Sequence, residues 1–161
     1  MVRAVVCLAA LVAPVALAAQ DAQGEDAPVY DLAWHNAQQL AVAKLRQEDG
    51  WRVLEGGLRY RFIEGDGGGE SPTVADTVTV HYAGRLIDGT GFDSSYARGE
   101  PATFPLGRLI KAWQLAIPEM GVGDTIELYA PADLAYGPVG KGPIPGNATL
   151  IFKVELIAIE E

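Results

Sequence analysis

The chain has 161 residues, of which 21 are Asp or Glu and 12 are Lys or Arg, giving a formal net charge of −9 at pH 7. A surface of that sign repels nucleic acid and anionic lipid, so we expect no nucleic-acid partner. The single cysteine excludes an intrachain disulfide and a cysteine-ligated metal cluster. The length suits one compact domain with a short preface.

The first residues are typical of a secretory signal. Arg3 precedes an uncharged run from Ala4 to Ala19, which contains an A-x-A site at residues 16–18. A membrane-spanning helix needs about 20 apolar residues, whereas this run is shorter, rich in alanine and interrupted by Pro14. We therefore predict a signal peptide at residues 1–18, no stable membrane association, and an exported protein that is periplasmic or secreted.

Cleavage after Ala18 would also remove Cys7 and leave no thiol to act as a nucleophile. Residues 19–30 are small, acidic and polar, which predicts a flexible leader.

Residues 31–50 form the next predicted segment, an N-terminal helix. The stretch from Asp31 to Glu48 favours helix, and Asp49-Gly50 ends it. The helix carries a modest apolar stripe, which is formed by Leu32, Ala33, Ala37, Leu40, Ala41, Lys44 and Leu45. A helix this short can dock on its own domain or pair with a second copy. Docking is the simpler interpretation, so we expect a monomer or a weak homodimer.

From residue 51 to 161 the spacing of apolar residues changes from a helical one to an alternation of apolar and polar positions. This alternation predicts an antiparallel sheet with one buried face. One internal segment, Lys111 to Ile117, looks helical, and Pro118 limits its length. The predicted class is α+β: an antiparallel sheet curled around one short helix, preceded by the N-terminal helix. The alternating apolar positions are Leu58, Tyr60 and Phe62; Val78, Val80 and Tyr82; Ile126 and Leu128; and Leu150, Phe152, Val154 and Leu156.

Aromatic residues from five separate segments are predicted to face one side of this sheet. Asp88-Gly89 is a hairpin signal that returns the chain to the sheet, so that Phe92 points inward with Asp93 beside it. Any one of these rings, taken alone, is explained as core. The five aromatic residues are Tyr82, Phe92, Trp113, Tyr136 and Phe152.

The block from about Val78 to Ile159 resembles the FK506-binding family of peptidyl-prolyl isomerases. Three phrases carry the resemblance, in the family's order and spacing: VTVHYAGRLIDGTGFDSS, PATFPLGRLIKAWQLAIPEMGVGD and LAYGPVGKGPIPGNATLIFKVELI. Together they cover roughly half of the chain, which makes the match far more specific than a single short motif.

The resemblance implies a site and an activity. Asp93, Tyr136, Phe92 and Trp113 would be catalytic, with Trp113 as the floor of a proline pocket. The Tyr136 hydroxyl and the Ile110 N–H would each bind a substrate carbonyl. The implied substrates are proline-containing polypeptides, and FK506-like macrolides are implied inhibitors. Further substrate-binding positions would be Tyr82, Arg98, Phe104, Leu109, Ile110, Ile144 and Phe152.

Rotation about an X-Pro bond needs no nucleophile or base, because no bond is made or broken. The amide must twist over a barrier of about 18 to 20 kcal/mol, and its charge separation falls as it twists. A dry aromatic cavity therefore favours the twisted form over the planar one. We expect no cofactor and no metal, since His35 and His81 have nothing nearby to complete a metal shell.

Three positions depart from the family pattern. Ala112 stands where a glycine is usual, Ala102 is small where some relatives place an aromatic residue, and Gly146 replaces a proline. Ala112 is expected to crowd the start of the helix, and Gly146 to loosen the loop that carries Ile144. Ala112 and Gly146 support an alternative function, a non-catalytic or weakly catalytic chaperone or binding module that holds proline-containing or unfolded segments in the same pocket.

Overall fold

The computed structural model describes residues 30–160. The predicted signal peptide at 1–18 lies outside the described residues, as does the leader except for Tyr30. Within residues 30–160, none of the helices combines the length and the apolar character that crossing a membrane requires.

The N-terminal helix α1 spans Leu32–Ala43. Asp31 caps it, because one carboxylate oxygen accepts the Trp34 N–H at 2.9 Å. The helix ends five residues before Glu48, the end that the sequence predicts. A 3-10 turn at Gln47–Asp49 follows, and the chain then turns towards the first strand. The helix propensity of residues 44–48 is overridden by this change of direction.

The predicted apolar stripe on α1 is wrong. Leu32 and Leu40 are 81% and 52% exposed, whereas Gln38 is 4% exposed. The Gln38 side-chain carbonyl accepts the Thr149 N–H at 2.9 Å, and its backbone carbonyl accepts the Thr149 hydroxyl at 3.2 Å. The helix therefore docks on its own domain through a satisfied polar pair, with Trp34 packed against the core beside it.

All strand pairs are antiparallel, and they form one sheet in the order β1-β2-β6-β7-β3-β4, with β5 also paired to β3. The longest pairing joins β3 and β7, from Thr77 opposite Glu160 to Leu86 opposite Leu150. The predicted α+β class is confirmed. The strands are β1 Arg52–Val53, β2 Arg59–Glu64, β3 Thr77–Leu86, β4 Gly91–Ser94, β5 Ala102–Pro105, β6 Thr125–Ala130 and β7 Leu150–Glu160.

Two short helices follow α1 in the chain: α2 at Ser95–Arg98 and α3 at Lys111–Ala116. Pro118 lies in a 3-10 turn directly after α3, at the position where the sequence predicts the helix to stop. Ala112 is fully buried in the hydrophobic core with Trp113 and Ala116. The methyl group that distinguishes alanine from glycine therefore lies inside the core, and the crowding at the start of the helix stays a prediction.

Candidate active site

A cavity of about 400 Å³ lies between α3, the concave face of the sheet and the loops that flank them. Its volume is within the range of small-ligand pockets. Ten of the eleven residues that the sequence predicts for the site line it, and Arg98 contacts it through two of them. The ten lining residues are Tyr82, Phe92, Asp93, Phe104, Leu109, Ile110, Trp113, Tyr136, Ile144 and Phe152.

Trp113 is placed at the centre of the aromatic lining by its position on α3. The Trp113 ring centroid lies 5.2 Å from that of Tyr82 and 5.5 Å from that of Phe152, both at nearly perpendicular angles. Edge-to-face contacts of this kind stabilise aromatic pairs beyond the area that they bury, by about 0.5 to 1.5 kcal/mol each. The indole is 4% exposed, so its position is fixed by packing.

Phe92 reaches the same cluster because Gly84 leaves space for it. The Phe92 and Phe152 rings are 5.6 Å apart, edge to face. A Cβ atom at Gly84 would lie 2.5 Å from the Phe92 ring and 2.9 Å from the Phe152 ring. A glycine inside a predicted strand is a signal of close approach, and Gly84 could have been found by it.

Asp93 is the acidic side chain of the cavity, and two partners hold it. The Tyr82 hydroxyl donates to one carboxylate oxygen at 2.5 Å, and the Arg98 guanidinium donates to the other. Arg98 also donates to the Tyr82 hydroxyl at 3.0 Å, which closes a triangle of three side chains. The triangle fixes the carboxylate at the edge of the aromatic lining.

The electrostatics of this triangle keep Asp93 ionised. Partial burial by itself raises the pKa of Asp93, but the hydrogen bonds from Tyr82 and Arg98 and the Arg98 charge outweigh it, so the pKa is lowered from 3.8. Burial raises the pKa of Tyr82, and the hydrogen bond to Asp93 raises it further. Burial, with the Asp93 charge, also raises the pKa of Tyr136. At neutral pH the carboxylate is charged and both phenols are neutral.

The short helix α2, which the sequence analysis did not predict, brings Arg98 to Asp93. Its N-cap is Ser94, whose hydroxyl accepts the Ala97 N–H at 3.2 Å, and Gly99 ends it with a φ of 79°. An aspartate before two serines could equally cap such a turn, but here Asp93 faces the cavity instead.

Ser95 supports the site through the main chain, and the sequence analysis did not name it. Its hydroxyl is fully buried, accepts the Tyr82 N–H at 2.7 Å and lies 3.2 Å from the Tyr82 carbonyl oxygen. Ser95 thereby fixes the main chain that carries the Tyr82 ring. A serine in a polar stretch has no sequence signal that separates this role from a solvated turn.

Three hydrogen-bonding groups of the cavity lining have no partner within residues 30–160, and one of them is the buried indole N–H of Trp113. The other two are the N–H of Ile110, the residue that precedes α3, and the hydroxyl of Tyr136, neither of which makes a hydrogen bond there. The loop before α3 is nevertheless fixed, because the Gln114 amide donates to the Leu109 carbonyl at 2.7 Å. The cavity thus offers unpaired donors in a mainly apolar lining, which also contains the charged side chains of Asp93 and Lys141.

A loop at residues 136–147 closes the remaining side, and it is more tightly packed than the sequence predicts. A Cβ atom at Gly146 would lie 2.0 Å from the Pro138 carbonyl oxygen, and one at Gly140 would lie 2.2 Å from the Ile144 carbonyl oxygen. The prediction that Gly146 loosens this loop is wrong, because the glycine permits the close backbone contact that holds the loop together.

The same loop adds three lining residues that the sequence analysis did not name: Lys141, Gly142 and Pro143. All three are exposed at the mouth of the cavity. Among residues 30–160 no three side chains of His, Cys, Asp or Glu come together as a metal site. The arrangement can hold an apolar ring against Trp113 and donate hydrogen bonds to carbonyl oxygens around it.

Comparison with known proteins identifies relatives over the same part of the chain. A model of the FKBP-type peptidyl-prolyl cis-trans isomerase family matches residues 68–157. "Peptidyl-prolyl cis-trans isomerase Mip" of Coxiella burnetii is 50% identical over 117 residues, which are 72% of this chain and 50% of that protein. "Outer membrane protein MIP" of Legionella longbeachae is 49% identical over 118 residues, 72% of this chain and 50% of that protein.

A solved structure has the same fold. The crystal structure of a peptidyl-prolyl cis-trans isomerase from Pseudomonas syringae pv. tomato superposes with a TM-score of 0.74 at 34% identity, covering 86% of this chain and 100% of that one. The chain spans about half the length of the Coxiella burnetii and Legionella longbeachae proteins.

Proposed function

Because the chain belongs to the FKBP-type peptidyl-prolyl cis-trans isomerase family, we propose that it accelerates rotation about X-Pro bonds in polypeptides. The observation that carries this proposal is the cavity itself: an aromatic lining closed by Trp113, with the Ile110 N–H and the Tyr136 hydroxyl unpaired beside it. Both groups can donate to carbonyl oxygens of a bound segment.

The proposed mechanism is differential binding. A proline ring packs against Trp113, and the carbonyl groups of the segment accept hydrogen bonds from Ile110 and Tyr136. As the imide bond rotates, its resonance is lost and its charge separation falls, so a water-poor aromatic lining stabilises the rotated form relative to the planar one. A tenfold acceleration needs only about 1.4 kcal/mol of such preference.

Asp93 supplies an oriented charge in this mechanism. The Tyr82 and Arg98 hydrogen bonds hold its carboxylate at the edge of the aromatic lining, where it faces the carbonyl group that rotates. No proton is transferred, which agrees with a pKa that is lowered further from neutrality. Apolar contact comes from five further lining residues: Phe92, Phe104, Leu109, Ile144 and Phe152.

We further propose that the substrates are exported proteins that fold in the periplasm. The signal-like residues 1–18 support this, as does the name of the Legionella longbeachae relative, an outer membrane protein. Expression in a Gram-negative host tests it: the chain should be recovered from the periplasmic fraction without residues 1–18. Recovery of the uncleaved chain in the cytoplasm would contradict this part of the proposal.

The activity is tested by the relaxation of a Leu-Pro peptide from a cis-enriched to an equilibrium mixture. The chain should accelerate the relaxation, and a macrolide such as FK506 should suppress the acceleration by filling the same cavity. If the chain binds the peptide but the peptide relaxes at its uncatalysed rate, the result would instead support a binding module. A chain that neither binds the peptide nor accelerates its relaxation would contradict both proposed functions.

A further inference from the structure

Lys141 stands at the mouth of the cavity, and its backbone is held in place. Its N–H donates to the Ile144 carbonyl at 2.9 Å, and the Ile144 N–H donates back to the Lys141 carbonyl at 2.9 Å. The two bonds close a four-residue turn whose other members are Gly142 and Pro143. The side chain is exposed and lines the cavity, so it is accessible to a bound segment.

The charge of Lys141 is uncompensated there. Asp93, the carboxylate of the lining, is ion-paired with Arg98. Lys141 makes no ion pair within residues 30–160, and its ammonium group lies 5.5 Å from the centre of the Tyr136 ring. The mouth of the cavity therefore carries a free positive charge on a protein whose net charge is −9.

We propose that Lys141 is a specificity-determining residue, which makes the cavity prefer segments with an Asp or Glu next to the proline. The inference rests on the proposed function, because it places the proline against Trp113. A segment seated there carries its neighbouring residues out through the mouth, where a carboxylate meets the ammonium group of Lys141. The overall negative charge repels acidic segments elsewhere on the surface, so the discrimination is local to this residue.

The size of the preference follows from the exposure of the ion pair between Lys141 and the carboxylate of the bound segment. Ion pairs between exposed groups contribute about 0.2 to 1 kcal/mol, so we expect a preference for Glu over Gln of about 1.4- to fivefold in kcat/KM. Rim charges act mainly on the association rate and depend on salt. The preference should therefore shrink as ionic strength rises, because the Debye length falls from about 10 Å at 0.1 M to about 3 Å at 1 M.

The test uses the chain without residues 1–18 and two peptide series, which vary Glu, Gln and Lys before the proline in one and after it in the other. The wild type should favour Glu over Gln, and Gln over Lys, in at least one series. Lys141→Gln should bring the Glu/Gln ratio to about one, whereas Lys141→Arg should keep it. Lys44→Gln, which removes the same charge from the exposed end of α1, should leave the ratio at the wild-type value.

Affinity measured for the same peptides, by the fluorescence of the protein, separates the two proposals. A wild type that binds Glu peptides more tightly through Lys141 but accelerates none of them would contradict the isomerase activity alone. A wild type that accelerates all peptides with a Glu/Gln ratio of one in both series would overturn the role of Lys141 alone. A ratio that survives in Lys141→Gln would also overturn it.

Discussion

The hydroxyl of Tyr82 donates a hydrogen bond of 2.5 Å to the carboxylate of Asp93. The two residues lie on neighbouring antiparallel strands, β3 and β4, and the turn that joins the strands is closed by a bond from the Leu86 N–H to the Thr90 carbonyl. Arg98 donates to both groups and completes the triangle. The position of the charge at the cavity is therefore set by the fold of one hairpin and the short helix after it.

Replacement of Asp93 by alanine should lower kcat/KM for a Leu-Pro peptide at least tenfold. The change removes the oriented charge and leaves the Tyr82 hydroxyl and the Arg98 guanidinium without the carboxylate that accepts from both. Hydrogen bonds to charged groups contribute about 1.5 to 3 kcal/mol, and a tenfold loss corresponds to about 1.4 kcal/mol. Asp49→Ala, an exposed aspartate on the 3-10 turn after α1, is the matched control and should keep the wild-type rate. Full activity in Asp93→Ala would remove this residue from the mechanism.

The Tyr136→Phe substitution should lower kcat/KM by about two- to tenfold, which is a smaller loss than that of Asp93→Ala. It removes one hydroxyl that has no partner within residues 30–160 and leaves the ring in place. A neutral hydrogen bond contributes about 0.5 to 1.5 kcal/mol, which sets this range. Tyr129→Phe deletes a hydroxyl from a ring that packs against Trp51, away from the cavity, and should not change the rate. Equal effects of the two variants would argue against a substrate bond to Tyr136.

A methyl group at Gly146 should damage the cavity without touching its aromatic residues. The added Cβ atom would lie 2.0 Å from the Pro138 carbonyl oxygen, so the loop that carries Ile144 must shift. We expect Gly146→Ala to lower kcat/KM about tenfold and the free energy of unfolding by about 1 to 3 kcal/mol. Gly91→Ala is the control, since its Cβ atom would meet nothing closer than 3.9 Å. Unchanged activity in Gly146→Ala would show that the loop does not shape the site.

The docking of α1 should depend on Gln38. Alanine at this position leaves the buried N–H of Thr149 without its acceptor, which costs about 1 to 3 kcal/mol. Urea denaturation should show a loss of that size in the free energy of unfolding. Gln39→Ala changes the adjacent, exposed glutamine and should have no effect on stability. Equal stability of the two variants would mean that α1 does not dock through this contact.

Much of the architecture was predictable from periodicity. The alternation of Val78, Val80 and Tyr82 marks the buried face of β3, and all three are buried in the core. Trp113 and Phe92 were placed in one cluster by family resemblance together with the hairpin signal at Asp88-Gly89. These features depend on neighbouring residues or on a pattern that repeats along the chain, so they can be predicted from one sequence.

The features that were missed depend on contacts between distant residues. Gln38 is buried because Thr149 bonds to it, 111 positions along the chain, and no helical period predicts a glutamine on the docked face. The helix α2 and the strand β5 have four residues each, too few for a periodic pattern to appear. The importance of Gly146 depends on the backbone of Pro138, which the sequence alone does not bring near it.

We propose that the cavity accelerates rotation about the X-Pro bond by preferential binding of the rotated form, with no proton transferred. The most direct test is kcat/KM for a Leu-Pro peptide, measured in H₂O and in D₂O with Asp93→Ala beside the wild type. We predict clear acceleration by the wild type with the same kcat/KM in both solvents, and a much lower value for the variant. A rate that falls substantially in D₂O, or a peptide that relaxes at its uncatalysed rate, would contradict the claim.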